Sequence, residues 1–306
     1  MSSGNSTRNM KRSVGRAKRR LNQRAARPML CESLEQRQLL AADLTLTADD
    51  GPNGNRSDDG ATDLFTIAAQ ATASTLDVTI NGQSAISGDS SSLATLAIRG
   101  SSDVDMASVD LSAAVTPTLE IIPTATGALA SWDFGGSTVV ELTEMETIDA
   151  TNGLFDLRIR QDLSPDYAAD GLEDRIELEL ADGGARLLIR VNGIDQVKVG
   201  GASSIAVVGS SDMDTYAVNE TVDGLIAGTI HVGDAANGPG IDGLEINSLS
   251  AHDVVYNVGT AGAPKSGIVS IDGSTAIEFQ GLAPVDNAGA GGSISVNVVD
   301  NAAITM

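Results

Sequence analysis

The sequence holds a single cysteine, Cys31, so no disulfide can close within the chain, and cysteine says nothing about the redox state of its compartment. Aromatic residues are scarce: one Trp, three Tyr and four Phe among 306 residues. That scarcity disfavours a thick core of large rings and favours thin layers filled by small and aliphatic side chains. No stretch approaches the ~18 consecutive apolar residues of a membrane helix, so no membrane span is predicted. Histidine is reduced to His231 and His252. Each sits in an alternating apolar run, with neither a cysteine nor a His-x-x-x-His spacing beside it, which favours surface or strand roles over zinc binding or catalysis. A Gly-x-Ser-x-Gly elbow is also absent, and the one thiol lies near the N-terminus, so nucleophilic catalysis has no support.

What the chain has is apolar bulk, glycine and negative charge. Hydrophobic residues make up 42%, ample for a buried core, and glycines number 33. The net charge of −22 conceals an asymmetry, because residues 1–40 carry ten Lys or Arg and two acids, leaving nine basic residues and 39 acids for the rest. A body this acidic repels nucleic acid and anionic membrane surfaces, stays soluble and attracts cations. The basic tract from Arg8 to Arg27 has no interleaved aromatics, which argues against a nucleic-acid arm and for a solvated targeting tail. An ordinary secretory signal would need an uninterrupted apolar run of about 7 to 15 residues, whereas Pro28-Met29-Leu30 is cut short by Cys31-Glu32.

Behind the basic tract stands Leu34-Glu35-Gln36-Arg37-Gln38-Leu39-Leu40-Ala41-Ala42-Asp43. A basic arm followed by Leu-Glu-x-Arg-x-Leu-Leu and a small-residue pair resembles the N-terminal sorting motif of large planctomycete extracellular and cell-surface proteins. The resemblance implies export. Residues 1–43 are accordingly read as a basic, disordered sorting leader.

After Asp43 the chain contains itself twice. Asp59-Gly60, Asp63, Phe65 and Ile67 answer to Asp170-Gly171, Asp174, Ile176 and Leu178, and Leu76, Val78, Ile80 and Asn81-Gly82 to Leu187, Ile189, Val191 and Asn192-Gly193. Period-two alternation puts the three apolar residues on one sheet face, and Asn-Gly supplies the positive φ of a tight turn. Gly100-Ser101-Ser102-Asp103-Val104-Asp105 returns as Gly209-Ser210-Ser211-Asp212-Met213-Asp214. The match lapses around 233–258, where copy two carries extra sequence. It resumes with Val140-Glu141-Leu142, Ile148 and Asp149 against Ile277-Glu278-Phe279, Val285 and Asp286. Copy one is read as 44–150 and copy two as 151–286. Ser293 to Val298 looks like the opening strand of a third copy, so 287–306 is read as such a start, or a tail, of a truncated or decayed member of a longer protein, or of a short one closed by a partner. The wording of these phrases is similar to repeats in the same planctomycete proteins, which implies a passive extracellular β-repeat without catalytic residues.

Strand candidates every ~10 to 14 residues fit an all-β chain, either a repeat β-solenoid of two diverged copies or two tandem β-sandwiches. Small aliphatic core positions and Gly, Asp, Asn and Ser turns favour the solenoid. Carboxylates are the abundant reactive group. Asp103, Asp105, Asp212 and Asp214 lie in Gly-bearing loops beside Asp58, Asp59, Asp63, Asp170 and Asp174, and calcium favours such hard oxygens. The competing reading makes them turn formers that accept hydrogen bonds from nearby backbone, the commoner role of Asp in loops. Trp132 is the one ring that could stack on a sugar, and is otherwise a cap over the thin core. The function expected is a non-catalytic, exported structural or adhesive β-repeat protein of the cell surface, stabilised by calcium and partnered by cell-surface or matrix components. The alternative is a carbohydrate-active β-helix enzyme drawing acids from Asp234, Asp242 and Glu245 in copy two's extra segment.

Overall fold

The computed structural model describes residues 42–50, 59–69, 75–89, 93–112, 117–134, 139–219, 229–233, 242–247, 253–260, 263–273, 275–287 and 294–298. Residues 1–41, with Cys31, as well as Asp58, Asp234 and His252, lie outside them, whereas Ala42 and Asp43, read as the end of the leader, open the first strand. The described residues form strands joined by turns and three short 3-10 segments. No helix among them is long and apolar enough to cross a membrane.

Alternation decides which side chains enter the core. In β3 (Thr75–Ile80) the buried set is Leu76, Val78 and Ile80, and in β13 (Arg186–Val191) Leu187, Ile189 and Val191 are buried in the same way. The Asn-Gly turns that follow have positive φ at both central residues, 50° and 76° at Asn81-Gly82 and 52° and 77° at Asn192-Gly193, as the tight hairpin needs. Asparagine adds a bolt that another residue in that conformation would lack. Its Oδ1 accepts the N–H of Leu64 in copy one and of Arg175 in copy two, while its Nδ2 donates to Asp63 or Asp174.

The chain winds between two open sheets of 12 and 11 strands. Copy one starts in the first sheet with β1 (Ala42–Thr47). It crosses to the second for an antiparallel meander of β2 (Asp63–Ala69), β3 and β4 (Gln83–Asp89), then returns as β5 (Leu93–Arg99) parallel to β1. β6 (Asp105–Asp110) lies parallel to β2 in the second sheet. The next meander, β7 (Thr118–Thr124), β8 (Gly127–Asp133) and β9 (Val139–Thr143), belongs to the first sheet, and β10 (Thr147–Thr151) closes the copy beside β6. Each of the later meanders lays its first strand two places ahead and falls back, so that β9 pairs with β5 and β7 is left free for the next copy.

Copy two repeats the path. β11 (Phe155–Arg160) lies parallel to β7; β12 (Asp174–Ala181), β13 and β14 (Ile194–Gly200) form the meander; β15 (Ala202–Val208) and β16 (Asp214–Asn219) follow. An extra coil is then inserted, β17 (Ile230–Val232) on β15 and β18 (Asp242–Asn247) on β16. This coil is the surplus of copy two. It begins ahead of Gly233, and the shared pattern resumes with β19 (Val254–Thr260), β20 (Ala263–Ile271), β21 (Thr275–Phe279) and β22 (Leu282–Asn287). Finally β23 (Ile294–Val298) lies parallel to β19, as β11 does to β7.

Both sheets cross from copy one to copy two without a break, through β7–β11 and β10–β14. The fold is therefore all-β and solenoidal with one continuous core, since separate sandwiches would need the pairing to stop there. The junction is filled by the largest side chain of the protein. Trp132 is fully buried, stacks on Phe134 at 5.9 Å and meets Phe155 of copy two edge-on at 4.8 Å. It is core, and offers no face to a sugar. Between the copies Arg186 also forks onto Asp149 at 2.8 and 2.6 Å, Gln196 exchanges hydrogen bonds with the backbone of Thr124, and the Ser164 hydroxyl donates to the Pro123 carbonyl. Because one core serves both copies, thermal unfolding is predicted to be a single transition. Trp132→Ala should lower the whole of it by about 3–5 kcal/mol; calorimetry showing two transitions, only one of which moves, would mean that the copies fold independently.

Candidate functional site

The phrase Gly-Ser-Ser-Asp-x-Asp builds the same corner twice. In copy one, Ser101 donates its N–H to Asp105 Oδ2 at 2.5 Å and its hydroxyl to the same oxygen, while Asp103 donates its N–H to Ser101 Oγ. In copy two, Ser210 donates its N–H to Asp214 Oδ2 at 2.7 Å and its hydroxyl to Oδ1, and Asp212 donates its N–H to Ser210 Oγ. The glycine that opens the phrase permits a close approach: a Cβ on Gly100 would meet the Glu144 carbonyl, and one on Gly209 the Tyr216 hydroxyl. The first aspartate of each phrase clamps the preceding coil. Asp103 Oδ2 accepts the N–H of Gly60 at 2.8 Å, and Asp212 Oδ2 that of Gly171 at 2.9 Å. Those glycines belong to the Asp-Gly turns, in which Asp59 and Asp170 accept the N–H two residues on.

The second aspartate turns inward and joins a ladder. Five strands of the second sheet begin with an aspartate in the core-facing parity: Asp63, Asp105, Asp174, Asp214 and Asp242, none more than 1% exposed. Asp63 stands beside Asp105, and Asp174 beside Asp214. The β6–β10 register sets Glu146 beside Asp105 and the β16–β18 register sets Asp242 beside Asp214. In each case the longer-numbered acid accepts the neighbour's backbone N–H, Asp105 N–H to Glu146 Oε2 at 2.6 Å and Asp214 N–H to Asp242 Oδ1 at 3.0 Å. Gln161, fully buried, is wedged into the copy-two ladder, with Nε2 donating to Asp174 Oδ2 at 2.5 Å and Asp214 Oδ1 at 3.1 Å.

Strands in one sheet lie about 4.8 Å apart. Two ionised carboxylates at that spacing repel by about 3 kcal/mol at an effective dielectric constant of ~20. No Arg or Lys bridges Asp105, Asp174 or Asp214 among the described residues. Burial accordingly raises the pKa of Asp105, against the hydrogen bonds from Ser101 and with the charges of Asp63 and Glu146 adding to it. Asp174 is raised by burial too, despite the Asn192 and Gln161 amides. Asp214 is pushed up to about 7, by burial first and then by Asp242, against the hydrogen bonds from Ser210 and Gln161.

The four aspartates predicted to hold calcium thus divide by role. Asp103 and Asp212 clamp neighbouring turns, whereas Asp105 and Asp214 cap their own corners from inside. Among the described residues no group of three or more His, Cys, Asp or Glu side chains is arranged to hold a metal ion. Asp242 and Glu245 point to opposite faces of β18: Asp242 is buried and Glu245 pairs outward with Arg175 at 2.7 Å. They cannot share one substrate. His231 is exposed on β17 and meets Glu278 of β21 at 3.0 Å.

A polar cleft opens beside the copy-one corner, in two adjoining lobes of about 400 and 570 Å³ that share Arg99, Thr126, Glu144 and Glu146. Arg99 is already engaged, forked onto Glu144 with both contacts at 2.9 Å. The lining has no aromatic residue on which a sugar could stack. Its equivalents in copy two are Val208, Gly281 and Ala283 for Arg99, Glu144 and Glu146, so the cleft's chemistry is peculiar to copy one.

Gln161, Glu146 and Asp242's inward role are the residues that sequence reasoning misses. A signal for the last was available: Asp-x-apolar-x-apolar opens all five strands. If Asp212 serves as a clamp, Asp212→Ala should cost about 1 kcal/mol in chemical denaturation, the value of one lost hydrogen bond, and Asp212→Asn, which keeps the acceptor, should recover most of it. Equal losses in the two variants would remove the clamp. Compared with known proteins, the chain matches no protein-family model, no curated protein and no solved structure.

Proposed function

We propose that the chain is a non-catalytic, exported structural or adhesive β-repeat protein of the cell surface. The observation that supports this most is how the recurrent polar residues are used. Asp59, Asp103, Asp170 and Asp212 hold turns, Asn81 and Asn192 bolt hairpins to strands, and Asp105 and Asp214 accept corner N–H groups. Chemistry that recurs between the copies goes into holding the coil together, which suits a scaffold whose work is mechanical. Export rests on the leader's resemblance to the planctomycete sorting motif. Cell-surface or matrix components are the partners such a repeat would meet.

The carbohydrate-active alternative loses the pairing of Asp242 with Glu245, because they face opposite ways and both glycosidase geometries need two acids flanking one scissile bond within about 10 Å, while Asp234 lies outside the described residues. Calcium is not needed for the reading, since the recurrent aspartates have backbone partners.

Two measurements test the proposal. A tagged full-length chain, expressed in a host that exports through the motif it resembles, should appear at the cell surface or in the medium with its leader removed; retention in the cytoplasm with the leader intact would overturn export. Calcium at fixed ionic strength, with magnesium as control, should leave Tm unchanged. A calcium-specific rise that disappears in Asp103→Ala with Asp212→Ala would make these residues ligands.

A further inference from the structure

We propose that the copy-two ladder of Asp174, Asp214 and Asp242, with Gln161 wedged into it, is a proton-binding site, through which the folded coil takes up a proton that the unfolded chain releases at neutral pH. Three carboxyl groups stand on adjacent, in-register strands, none more than 1% exposed. The row ends on neutral groups at both sides. Asn192 donates to Asp174 at 2.6 Å, and beyond Asp242 the register brings Leu282, itself buried.

Among the described residues, the charges that act on Asp174 and Asp214 are negative. Asp170 and Asp212 act on Asp174 from the flanking turns, and Asp242 acts on Asp214 from β18. Tyr167 lies within the field of Asp174, and Tyr216 follows Asp214 on the same inward face. Arg160, next to Gln161, is held by Asp162 and Glu120 on the outer side. Gln161 Oε1 is buried with no hydrogen-bond partner among the described residues, while its Nε2 is shared by Asp174 and Asp214. A turned amide would let that oxygen accept from a protonated Asp214. In copy one the third acid is Glu146, which is exposed. The inserted coil replaces it with buried Asp242, so the site is a product of the insertion.

The direction of the pH effect follows. Asp214 lies near 7 in the fold and near 4 in the unfolded chain, so its contribution is fully present below about pH 4 and is lost as pH rises through about 7. Asp110 and Asp182, lowered by hydrogen bonds from Ser112 and Arg186, act oppositely, and their contribution fades as pH falls below about 4. Stability should therefore peak near pH 4 and decline toward pH 8, with about one proton released on unfolding at pH 6.

The proposal stands or falls independently of export. Tm of the full chain is measured from pH 4.5 to 9 at fixed ionic strength, for the wild type and Asp214→Asn. The wild type should lose Tm steadily between pH 5 and 8, and the variant, one charge different in a body this acidic, should lose most of that slope whatever its absolute Tm. A folded variant that keeps the wild-type slope overturns the proposal, because general self-repulsion then explains the decline. Should the variant fail to fold, infrared spectra of the wild type labelled at the aspartate carboxyl carbon decide. A protonated-carboxyl band at pH 6 that vanishes by pH 9 supports the site, and its absence at pH 6 overturns it.

Discussion

The structure depends on satisfying backbone N–H groups where the chain turns a corner between its two sheets. A strand inside a sheet finds partners in its neighbours, but a corner residue facing the dry interior has none, and an unpaired buried N–H costs about as much as a lost hydrogen bond. A carboxylate at the first inward position of the next strand solves this locally, as Asp105 does for Ser101 and Asp214 for Ser210. The same acid can also receive from the adjacent coil, since in-register stacking brings the next corner alongside. Asp242 takes the N–H of Asp214 in that way. One residue type at one parity thereby fixes both the corner and the register between coils. The consequence is a row of buried acids in which, among the described residues, no Arg or Lys bridges Asp105, Asp174 or Asp214.

The junction between copies and the outer edges are built differently. Where copy two meets copy one, β13 and β14 bring Arg186 against β10 and Gln196 against the β7–β8 turn, while Lys198 pairs with β10 through its backbone and holds Asp182 of its own copy with its side chain. The equivalent positions in the first meander are Thr75, Ala85 and Ser87. The strand β4, at the end of its sheet, thus lacks the side chains that staple β14 to the coil before it. The two meanders have diverged at these positions. Identical chains, stacked end to end, would therefore not reproduce the internal junction.

Much of the fold was legible because period-two alternation and Asn-Gly turns act over a few residues. Leu76, Val78 and Ile80 face the core for the reason their spacing implies, and the match between copies located equivalent strands in order. The path between sheets was not legible. Nothing in β7, β8 or β9 says that the first of them is laid two places ahead, because pairing depends on which edge is open when the strand arrives. The extra coil looked like an insertion placed a little late, since β17 is only three residues long and leaves a weak pattern. The parity of the recurrent aspartates could also be counted: Asp105 and Asp214 stand two residues before a buried side chain, which puts them inside.

Aspartate rather than asparagine occupies the ladder for a reason of donor count. At the Asp214 corner three donors converge, the N–H and hydroxyl of Ser210 and Nε2 of Gln161, and a carboxylate offers two oxygens to receive them. Asparagine would offer one oxygen and bring two further donors into a space already rich in them. A carboxylate is the better acceptor there but carries a charge that burial penalises, and stacking three in a row multiplies the penalty. A shared proton relieves the repulsion while leaving more acceptor than donor capacity in the row, which is the balance the corner requires. Polar residues at the turns and a partly protonated interior are therefore two results of a single demand, that a tightly wound coil leave none of its corner N–H groups unmet.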